Sequence, residues 1–303
     1  MEAAATTLGS FTLLALCAAV GFASAASAAE PQKIRDRMWV WGHDAGVYNG
    51  QWGLPGNSRI TPVEGAGYLG VSNVIFIRYE GRPKPPFSAY AQPFKGLKRV
   101  MWSVTGAGGA TSEAERSEVV ALAREMPNMT GVFMDDFFQF TAGAAAGGEA
   151  EAAAALSVEQ LRQVRRQLTL DGRRLDLGVT LYTHQLDPRI VPHLALCDVV
   201  SLWTWKAEDL ERLDGNFARY EKLAPGKRTL LGLYMWDFGT NRPMPVERMK
   251  KQCEQAVEWL RQGRIEGMIF LATNLCDLRL QTVEWTRRWV AEVGDQPVPR
   301  PLR

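Results

Sequence analysis

The sequence has few of the residues that build metal centres or disulfide frameworks. Its 303 residues include four cysteines and three histidines, and no two cysteines form a Cys-x-x-Cys pair. Such spacings identify zinc sites and redox motifs, so the sequence predicts no metal and no cofactor. Cys197, Cys253 and Cys276 lie in the body of the chain and are expected to be small core residues, with at most one disulfide among them.

An excess of charge of one sign is also lacking. Lys and Arg together number 35, Asp and Glu together number 33, and the formal net charge is +2. The basic residues are scattered along the chain rather than clustered. Nucleic-acid binding needs a basic face, so we do not expect nucleic acid to be a partner.

The apolar run near the start of the chain is too short to cross a membrane. It covers Phe11–Phe22, whereas a spanning helix needs about 20 apolar residues. Its length is typical of the apolar part of a signal peptide. Small residues follow at 23–29, and cleavage after Ala25 or Ala28 would satisfy the A-x-A rule. We therefore predict a signal peptide at residues 1–28, a secreted or periplasmic protein, and no stable membrane insertion after cleavage.

Eight short apolar segments, each bounded by turn or polar residues, predict buried β-strands. They are Met38–Trp41, Asn73–Ile77, Arg99–Val104, Gly131–Met134, Leu175–Tyr182, Asp198–Trp205, Thr229–Trp236 and Gly267–Ala272. The intervals have helical signals, such as the capping box that runs from Thr61 to Glu64. Eight strand–helix repeats predict an α/β fold, a single-domain (β/α)8 TIM barrel over residues 29–303. The alternative is a doubly wound open sheet, but no Gly-x-Gly-x-x-Gly follows the first strand.

Carboxylates and aromatic residues collect at one end of these predicted strands. In a (β/α)8 barrel the carboxyl ends of the strands form the catalytic face. Strand four ends in Asp135 and Asp136 and strand seven in Asp237, and we predict these three as catalytic residues. The residues predicted to bind substrate are Trp41, His43, Asp44, Arg78, Glu80, Trp102, Tyr182, His184, Trp203, Trp205, Tyr234, Trp236 and Asn274. The opposite rim has fewer such side chains.

This combination of residues suits the hydrolysis of carbohydrate. Glycoside hydrolysis needs two carboxyl groups whose pKa values are driven apart, and aromatic rings stack on the faces of sugars. Strand alternation predicts that only one of Asp135 and Asp136 points into the barrel mouth. Arg78 is expected to pair with Glu80 or Asp44, or to bind an anionic group of the substrate.

With these residues the chain resembles the glycoside hydrolase group of TIM barrels, over residues 37–293. Many of those enzymes have carboxylates at the ends of strands four and seven, which Asp135, Asp136 and Asp237 match by position. In the alpha-galactosidase-like group the strand-four acid is an Asp nucleophile. Family 18 chitinases have a strand-four motif that ends in Glu, where this chain has Phe137. The resemblance implies a secreted glycoside hydrolase that acts on a carbohydrate.

Two other functions remain open from the residues alone. One is a metal-dependent hydrolase on the same barrel, with His43, Asp44, Asp135, His184 and Asp237 as its polar groups. The amidohydrolase pattern has His-x-His on strand one, whereas this chain has a single His there. The other is a barrel that binds carbohydrate without catalysis, which would be favoured by carboxylates more than about 10 Å apart across the mouth.

Overall fold

The computed structural model describes Met1, residues 32–139 and residues 154–298. Apart from Met1, the predicted signal peptide lies outside the described residues. Within the described ranges, no helix combines the length and the apolar character needed to span a membrane.

Eight parallel strands close into a barrel and follow one another around the ring in chain order. They are β1 (Met38–Gly42), β2 (Asn73–Phe76), β3 (Arg99–Thr105), β4 (Met129–Met134), β5 (Asp176–Tyr182), β6 (Val199–Trp203), β7 (Arg228–Tyr234) and β8 (Gly267–Leu271). The ring closes because β1 pairs with both β2 and β8. The predicted α/β class and (β/α)8 barrel are therefore confirmed.

Helices follow the strands on the outside of the barrel. The described residues contain α1 (Pro62–Leu69), α2 (Ser88–Ala91), α3 (Glu113–Glu125), α4 (Val158–Gln167), α5 (Val191–Leu194), α6 (Leu213–Leu223), α7 (Val246–Arg261) and α8 (Gln281–Val293). The predicted capping box is present at α1, where Thr61 N donates to Glu64 Oε2 at 2.9 Å and Glu64 N donates to Thr61 Oγ1 at 3.3 Å. Two hairpins, Trp236–Asp237 with Arg242–Pro243 and Thr169–Leu170 with Arg173–Arg174, extend the loops.

Aromatic rings form a floor inside the barrel. The ring of Trp41 packs edge-on against Phe133 at 5.5 Å and against Trp203 at 5.3 Å between centroids. Two glycines make room for them: a Cβ at Gly178 would lie 2.4 Å from the Phe133 ring, and one at Gly232 would lie 2.0 Å from the Trp203 ring. The floor residues Trp41, Phe133 and Trp203 thus fill the barrel interior beneath its carboxyl end.

Ion pairs cover the opposite, amino end of the barrel. Arg228 donates to the Asp176 carboxylate at 2.8 Å and to Glu266 Oε1 at 2.9 Å. The Arg99 guanidinium lies 4.5 Å above the centroid of the Trp39 ring, a cation–π contact. Arg228, Asp176 and Glu266 thus form an ion-pair network at this end of the barrel.

The three cysteines of the described residues are free thiols in the core. Cys197, Cys253 and Cys276 are all buried. Burial raises the pKa of the Cys197 thiol to about 12 and also raises the pKa of the Cys253 and Cys276 thiols. These cysteines are neutral core side chains, as the sequence predicts.

Candidate active site

A cavity of about 80 Å³ lies inside the carboxyl end of the barrel, above the aromatic floor. Nine of its fifteen lining residues are aromatic rings of Trp, Tyr or Phe. The lining consists of Trp41, His43, Tyr48, Trp52, Tyr79, Ala107, Asp135, Asp136, Thr180, Tyr182, Trp203, Trp205, Tyr234, Phe238 and Leu271. Eight of the sixteen predicted site residues are therefore brought together here.

Asp135 is the more deeply buried of the two carboxyl groups in this cavity. It follows the last residue of β4, and its backbone N–H donates to Thr105 O at 3.0 Å. Its Oδ1 accepts a hydrogen bond from Thr180 Oγ1 at 3.2 Å. Burial, and then the charge of Asp136, raise the pKa of the Asp135 carboxyl well above its usual range. The side chain is thus suited to hold a proton and to donate it.

Asp136 reaches the same cavity because the backbone turns at this residue. Its φ is +44°, so the alternation of a regular strand ends there. Its Oδ1 accepts from the Tyr182 hydroxyl at 2.8 Å, and its Oδ2 accepts from the Gly108 N–H at 2.8 Å. The prediction that only one of the two acids points into the mouth is wrong, since both line the cavity.

The tyrosines around the two acids are neutral hydroxyl donors. Burial raises the pKa of Tyr48, Tyr182 and Tyr234 well above its ordinary value, and the charges of Asp135 and Asp136 raise it further. A carboxylate next to a phenol disfavours the phenolate. These hydroxyls therefore keep their protons: Tyr182 donates its own to Asp136, and Tyr48 and Tyr234 can bind the oxygens of a ligand.

His43 lines the cavity but has no free nitrogen. Its Nδ1 lies 2.9 Å from Ile77 O, and its Nε2 accepts from Trp41 Nε1 at 3.1 Å. An indole N–H can only donate and a carbonyl can only accept, so the ring is the neutral Nδ1–H tautomer. Burial lowers its pKa to about 4. His43 is thus a positioning residue for Trp41 rather than a base.

A wider hollow of about 400 Å³, the outer groove, adjoins the cavity. Asp136, Tyr182 and Trp205 line both spaces. His184 lines the outer groove, where its ring stacks on Tyr182 at 5.3 Å with an angle of 8° between the planes. The remaining residues of the outer groove are Gly108, Phe138, Gln139 and Gln185. A ligand that fills the cavity can therefore extend outward along this groove.

Seven predicted site residues line neither the cavity nor the outer groove. They are Asp44, Arg78, Glu80, Trp102, Trp236, Asp237 and Asn274. Arg78 shows why: its guanidinium pairs with Glu115 at 2.5 Å and donates to the carbonyls of Gly81 and Pro83. The expected pairing of Arg78 with Glu80 or Asp44 is wrong, and its charge is satisfied outside the cavity.

Trp102 lies on the outer side of the barrel. Trp102 pairs in register with Phe76 on β2, and the two rings are 4.3 Å apart. The ring of Phe94 packs on it as well, at 5.3 Å. Side chains alternate along a strand, and this position of β3 faces the helices. Trp102 is thus a fully buried core residue between strand and helix.

Three other predicted residues form hydrogen bonds and an ion pair between the loops at the rim. Asp44 accepts from the Tyr90 hydroxyl at 3.0 Å and pairs with Arg82 at 2.9 Å, and Asn274 donates to the carbonyl of Asp44. Glu80 accepts from Gln51 Nε2 at 3.0 Å. These contacts connect the loop after β1 to the loops after β2 and β8.

The hairpin after β7 contains the two remaining predicted residues. The carboxylate of Asp237 accepts from Thr240 Oγ1 at 2.7 Å, within the same turn. Trp236 donates its Nε1–H to Trp52 O at 2.9 Å. From this hairpin it is Phe238, rather than either predicted residue, that lines the cavity.

Sequence reasoning missed lining residues of two kinds. Tyr48 and Trp52 come from the long loop after β1, and loop aromatics have no strand period that would place them. Thr180 lies two residues before Tyr182 on β5, so alternation along that strand would have placed it on the same face. Its contact with Asp135 makes it the most informative of the missed residues.

The polar groups of the metal-hydrolase alternative are dispersed. His43 has both nitrogens occupied, Asp44 pairs with Arg82, and His184 lies in the outer groove. Over residues 32–139 and 154–298, no group of three or more His, Cys, Asp or Glu side chains is arranged to hold a metal ion.

No protein-family profile and no curated protein matches this sequence, but solved structures share its fold. The spore cortex-lytic enzyme SleL of Bacillus megaterium QM B1551 superposes with a TM-score of 0.53 at 10% identity, covering 89% of this chain and 76% of that one. The GH99 endo-alpha-mannosidase of Bacteroides thetaiotaomicron gives 0.53 at 11% identity, with coverages of 85% and 97%. A xylanase-A-amylase inhibitor protein gives 0.51 at 12% identity, with coverages of 85% and 98%. The resemblance to glycoside hydrolase-like barrels is thus confirmed at the level of the fold.

Proposed function

We propose that this protein is a glycoside hydrolase whose two catalytic carboxyl groups are Asp135 and Asp136. The observation that carries the proposal is the contrast between these neighbours inside one aromatic cavity. Asp135 is buried and its pKa is raised, whereas Asp136 accepts two hydrogen bonds, from Tyr182 and Gly108. Glycoside hydrolysis needs two carboxyl groups in unlike environments.

The geometry supports different catalytic roles for the two acids. Asp135 donates its proton to the glycosidic oxygen as the bond to the sugar carbon breaks, so that the leaving group departs as an alcohol. The Asp136 carboxylate stabilises the positive charge that develops at the sugar carbon. Water then adds to that carbon, and its proton returns to Asp135. Net hydrolysis leaves both carboxyl groups in their starting states.

The aromatic lining supports a sugar as the substrate. The Trp205 and Tyr182 rings meet edge to face at 5.7 Å, at the boundary between the cavity and the outer groove. Aromatic faces bury the C–H surface of a sugar ring, and the neutral hydroxyls of Tyr48 and Tyr234 can bind its oxygens. The endo-alpha-mannosidase is an example of a sugar-cleaving enzyme built on this fold.

Sugar release by single Asp→Asn variants tests the proposal. Asp135→Asn and Asp136→Asn should each lower the rate of release from a panel of aryl glycosides and oligosaccharides by roughly 100-fold or more. Asp171→Asn is the matched control, because Asp171 is exposed and has a φ of +42°, close to that of Asp136. It should retain full activity. Full activity in both cavity variants would refute the proposal.

A barrel that binds saccharide without cleaving it is the second candidate. One observation favours a barrel without catalysis: the same fold occurs in a protein named as a xylanase-A-amylase inhibitor protein. Saccharide binding by the wild-type protein, with no release from any glycoside in the panel, would establish this alternative.

We also propose that the protein is secreted or periplasmic after removal of residues 1–28. Expression in a secreting host, followed by amino-terminal sequencing of the mature protein, tests this directly. A mature chain that begins at Ala26 or Ala29 supports it, and an intact amino terminus contradicts it.

A further inference from the structure

The charged groups that line the cavity are all of one sign. Its two acids are Asp135, whose raised pKa keeps a proton on its carboxyl group, and the Asp136 carboxylate, which is also the one acid among the described residues that line the outer groove. Burial lowers the pKa of both His43 and His184, which disfavours a positive charge on either ring. Among the residues that the structure describes, no Lys or Arg lines either space.

Three basic side chains that follow the carboxyl ends of β2 and β6 form ion pairs outside the cavity. Arg78 pairs with Glu115, and the Arg82 guanidinium lies 2.9 Å from Asp44 Oδ2. Lys206, next to Trp205, has its Nζ 3.9 Å from a carboxylate oxygen of Glu208. Among the described residues, the lining of the cavity thus holds no Lys or Arg that could serve as a counter-charge to an anionic ligand.

The nine aromatic rings add to this negative character. The face of a Trp or Tyr ring attracts a cation through its quadrupole, most strongly where water is excluded. Four of the rings are indoles, from Trp41, Trp52, Trp203 and Trp205. A group of rings around the Asp136 carboxylate is an arrangement that can hold an ammonium group.

Resting on the proposed function, we propose that the cavity selects saccharides that carry a protonated amino group, such as a 2-amino-2-deoxy sugar, over neutral saccharides, and that it excludes uronic acids and other anionic sugars. The ammonium group lies against the Asp136 carboxylate and a neighbouring ring face. The apolar face of the sugar packs on the remaining rings.

Electrostatics decides the order of preference among otherwise similar sugars. A cation loses favourable hydration energy when it enters the cavity. Its attraction to a nearby carboxylate at low dielectric offsets that loss, and cation–π contacts with the rings add to the attraction. A neutral sugar gains only stacking and hydrogen bonds. A carboxylate sugar would be repelled by Asp136 and would find no basic partner, so its affinity should fall below detection.

Binding of four methyl glycosides to the wild-type protein tests the proposal. They are those of glucosamine, N-acetylglucosamine, glucose and glucuronic acid, and calorimetry at pH 6 gives each affinity. The glucosamine derivative should bind at least about tenfold more tightly than the glucose derivative, in line with a charge-assisted contact. N-acetylglucosamine is the matched control, since acetylation removes the charge and keeps the nitrogen. It should lose most of that advantage.

Two variants then test whether Asp136 causes the preference for the amino sugar. Asp136→Asn should lower the glucosamine-to-glucose ratio to below about threefold, while Asp171→Asn should leave the ratio unchanged. Thermal melting confirms that each variant is folded. Equal affinities for the charged and neutral sugars in the wild-type protein would overturn the proposal even if no variant folds.

The outcome for selectivity is separate from the outcome for hydrolysis. Release of neutral sugars at the same rate as amino sugars would overturn the selectivity and leave the proposed glycosidase intact. Conversely, tight and selective binding of the amino sugar without release from any glycoside would refute hydrolysis and leave the selectivity standing.

Discussion

At the scale of one residue, the burial that would suit Asp135 to the proposed role of proton donor also makes its ionisation unfavourable for stability. Its carboxyl group is buried against Thr180 and next to a second acid, so ionisation is costly there. In the unfolded chain the same group ionises near the ordinary value of 3.8. The folded protein therefore holds this proton more tightly than the unfolded chain does.

The sign of the resulting pH dependence follows from linkage. A folded-state pKa above the unfolded one contributes stability that is fully present below pH 3.8 and is lost as pH rises through the folded value. Asp135→Asn never ionises, so it should be more stable than the wild-type protein at pH 8, by an amount on the order of 2 kcal/mol. The advantage should shrink towards pH 4. Melting temperatures measured from pH 4 to pH 8 check this, and a pH-independent difference would contradict it.

The sequence predicted which residues lie at the strand ends, but it predicted the direction of their side chains only in part. Trp203, Trp205 and Tyr182 were found because a strand-end position in a barrel faces the mouth. Arg78 was misplaced because its partner, Glu115, comes from a helix that sequence cannot bring into contact with it. Asp136 was misjudged because a positive φ interrupts the period of two.

The strands show at the scale of elements how small residues on one strand shape the cavity from the next. Gly232 on β7 faces the ring of Trp203 on β6, and a Cβ there would come within 2.0 Å of that ring. Trp203 in turn supports Tyr234, with 5.0 Å between the ring centroids. The absence of a Cβ at Gly232 thus allows the Trp203 ring to occupy its position in the cavity floor.

Gly232→Ala should therefore destabilise the protein by about 1–3 kcal/mol, because Trp203 must move or the strands must separate. Saccharide affinity should fall as well, since the floor would rise into the cavity. Gly215→Ala is the matched control: Gly215 is exposed on α6, where an added Cβ meets no atom within 4 Å. That change should stabilise the protein by about 0.4–1 kcal/mol. Chemical denaturation measures both, and equal effects of the two substitutions would refute the packing argument.

All eight strands were predictable from apolar runs, because a parallel strand covered on both faces is apolar throughout. Their ends were less certain. The segment predicted as Thr229–Trp236 is in fact a strand that ends at Tyr234 followed by a hairpin at Trp236–Asp237. Asp237 therefore does not line the cavity, because the hairpin does not continue the direction of the strand.

At the scale of the whole molecule, the two ends of the barrel differ in the groups that they hold. Rings and two acids occupy the carboxyl end, while Arg228 bridges Asp176 and Glu266 at the amino end. The Arg228 side chain is 46% exposed, so each ion pair is partly screened by solvent. Together the pairs connect β5 and β7 to the residue that precedes β8.

Arg228→Met should lower the free energy of unfolding by about 1 kcal/mol at low ionic strength, because Asp176 loses its ion pair and Glu266 keeps only the longer one with Arg37 at 3.7 Å. The loss should be smaller in 1 M NaCl. Arg166→Met, which removes an exposed pair with Glu159, should change stability by less than about 0.5 kcal/mol. Denaturation at two salt concentrations provides the measurement. Saccharide affinity should be unaffected by either change, and a loss of affinity in Arg228→Met would show that the ends are coupled.

The closed floor has a consequence for the way a polymer would be degraded. Trp41, Phe133 and Trp203 fill the barrel beneath the cavity, so a chain end that enters cannot thread through to the other side. A sugar that is released in the cavity must therefore leave through the opening by which it entered, and the rest of a long saccharide must lie outside the barrel, along the outer groove.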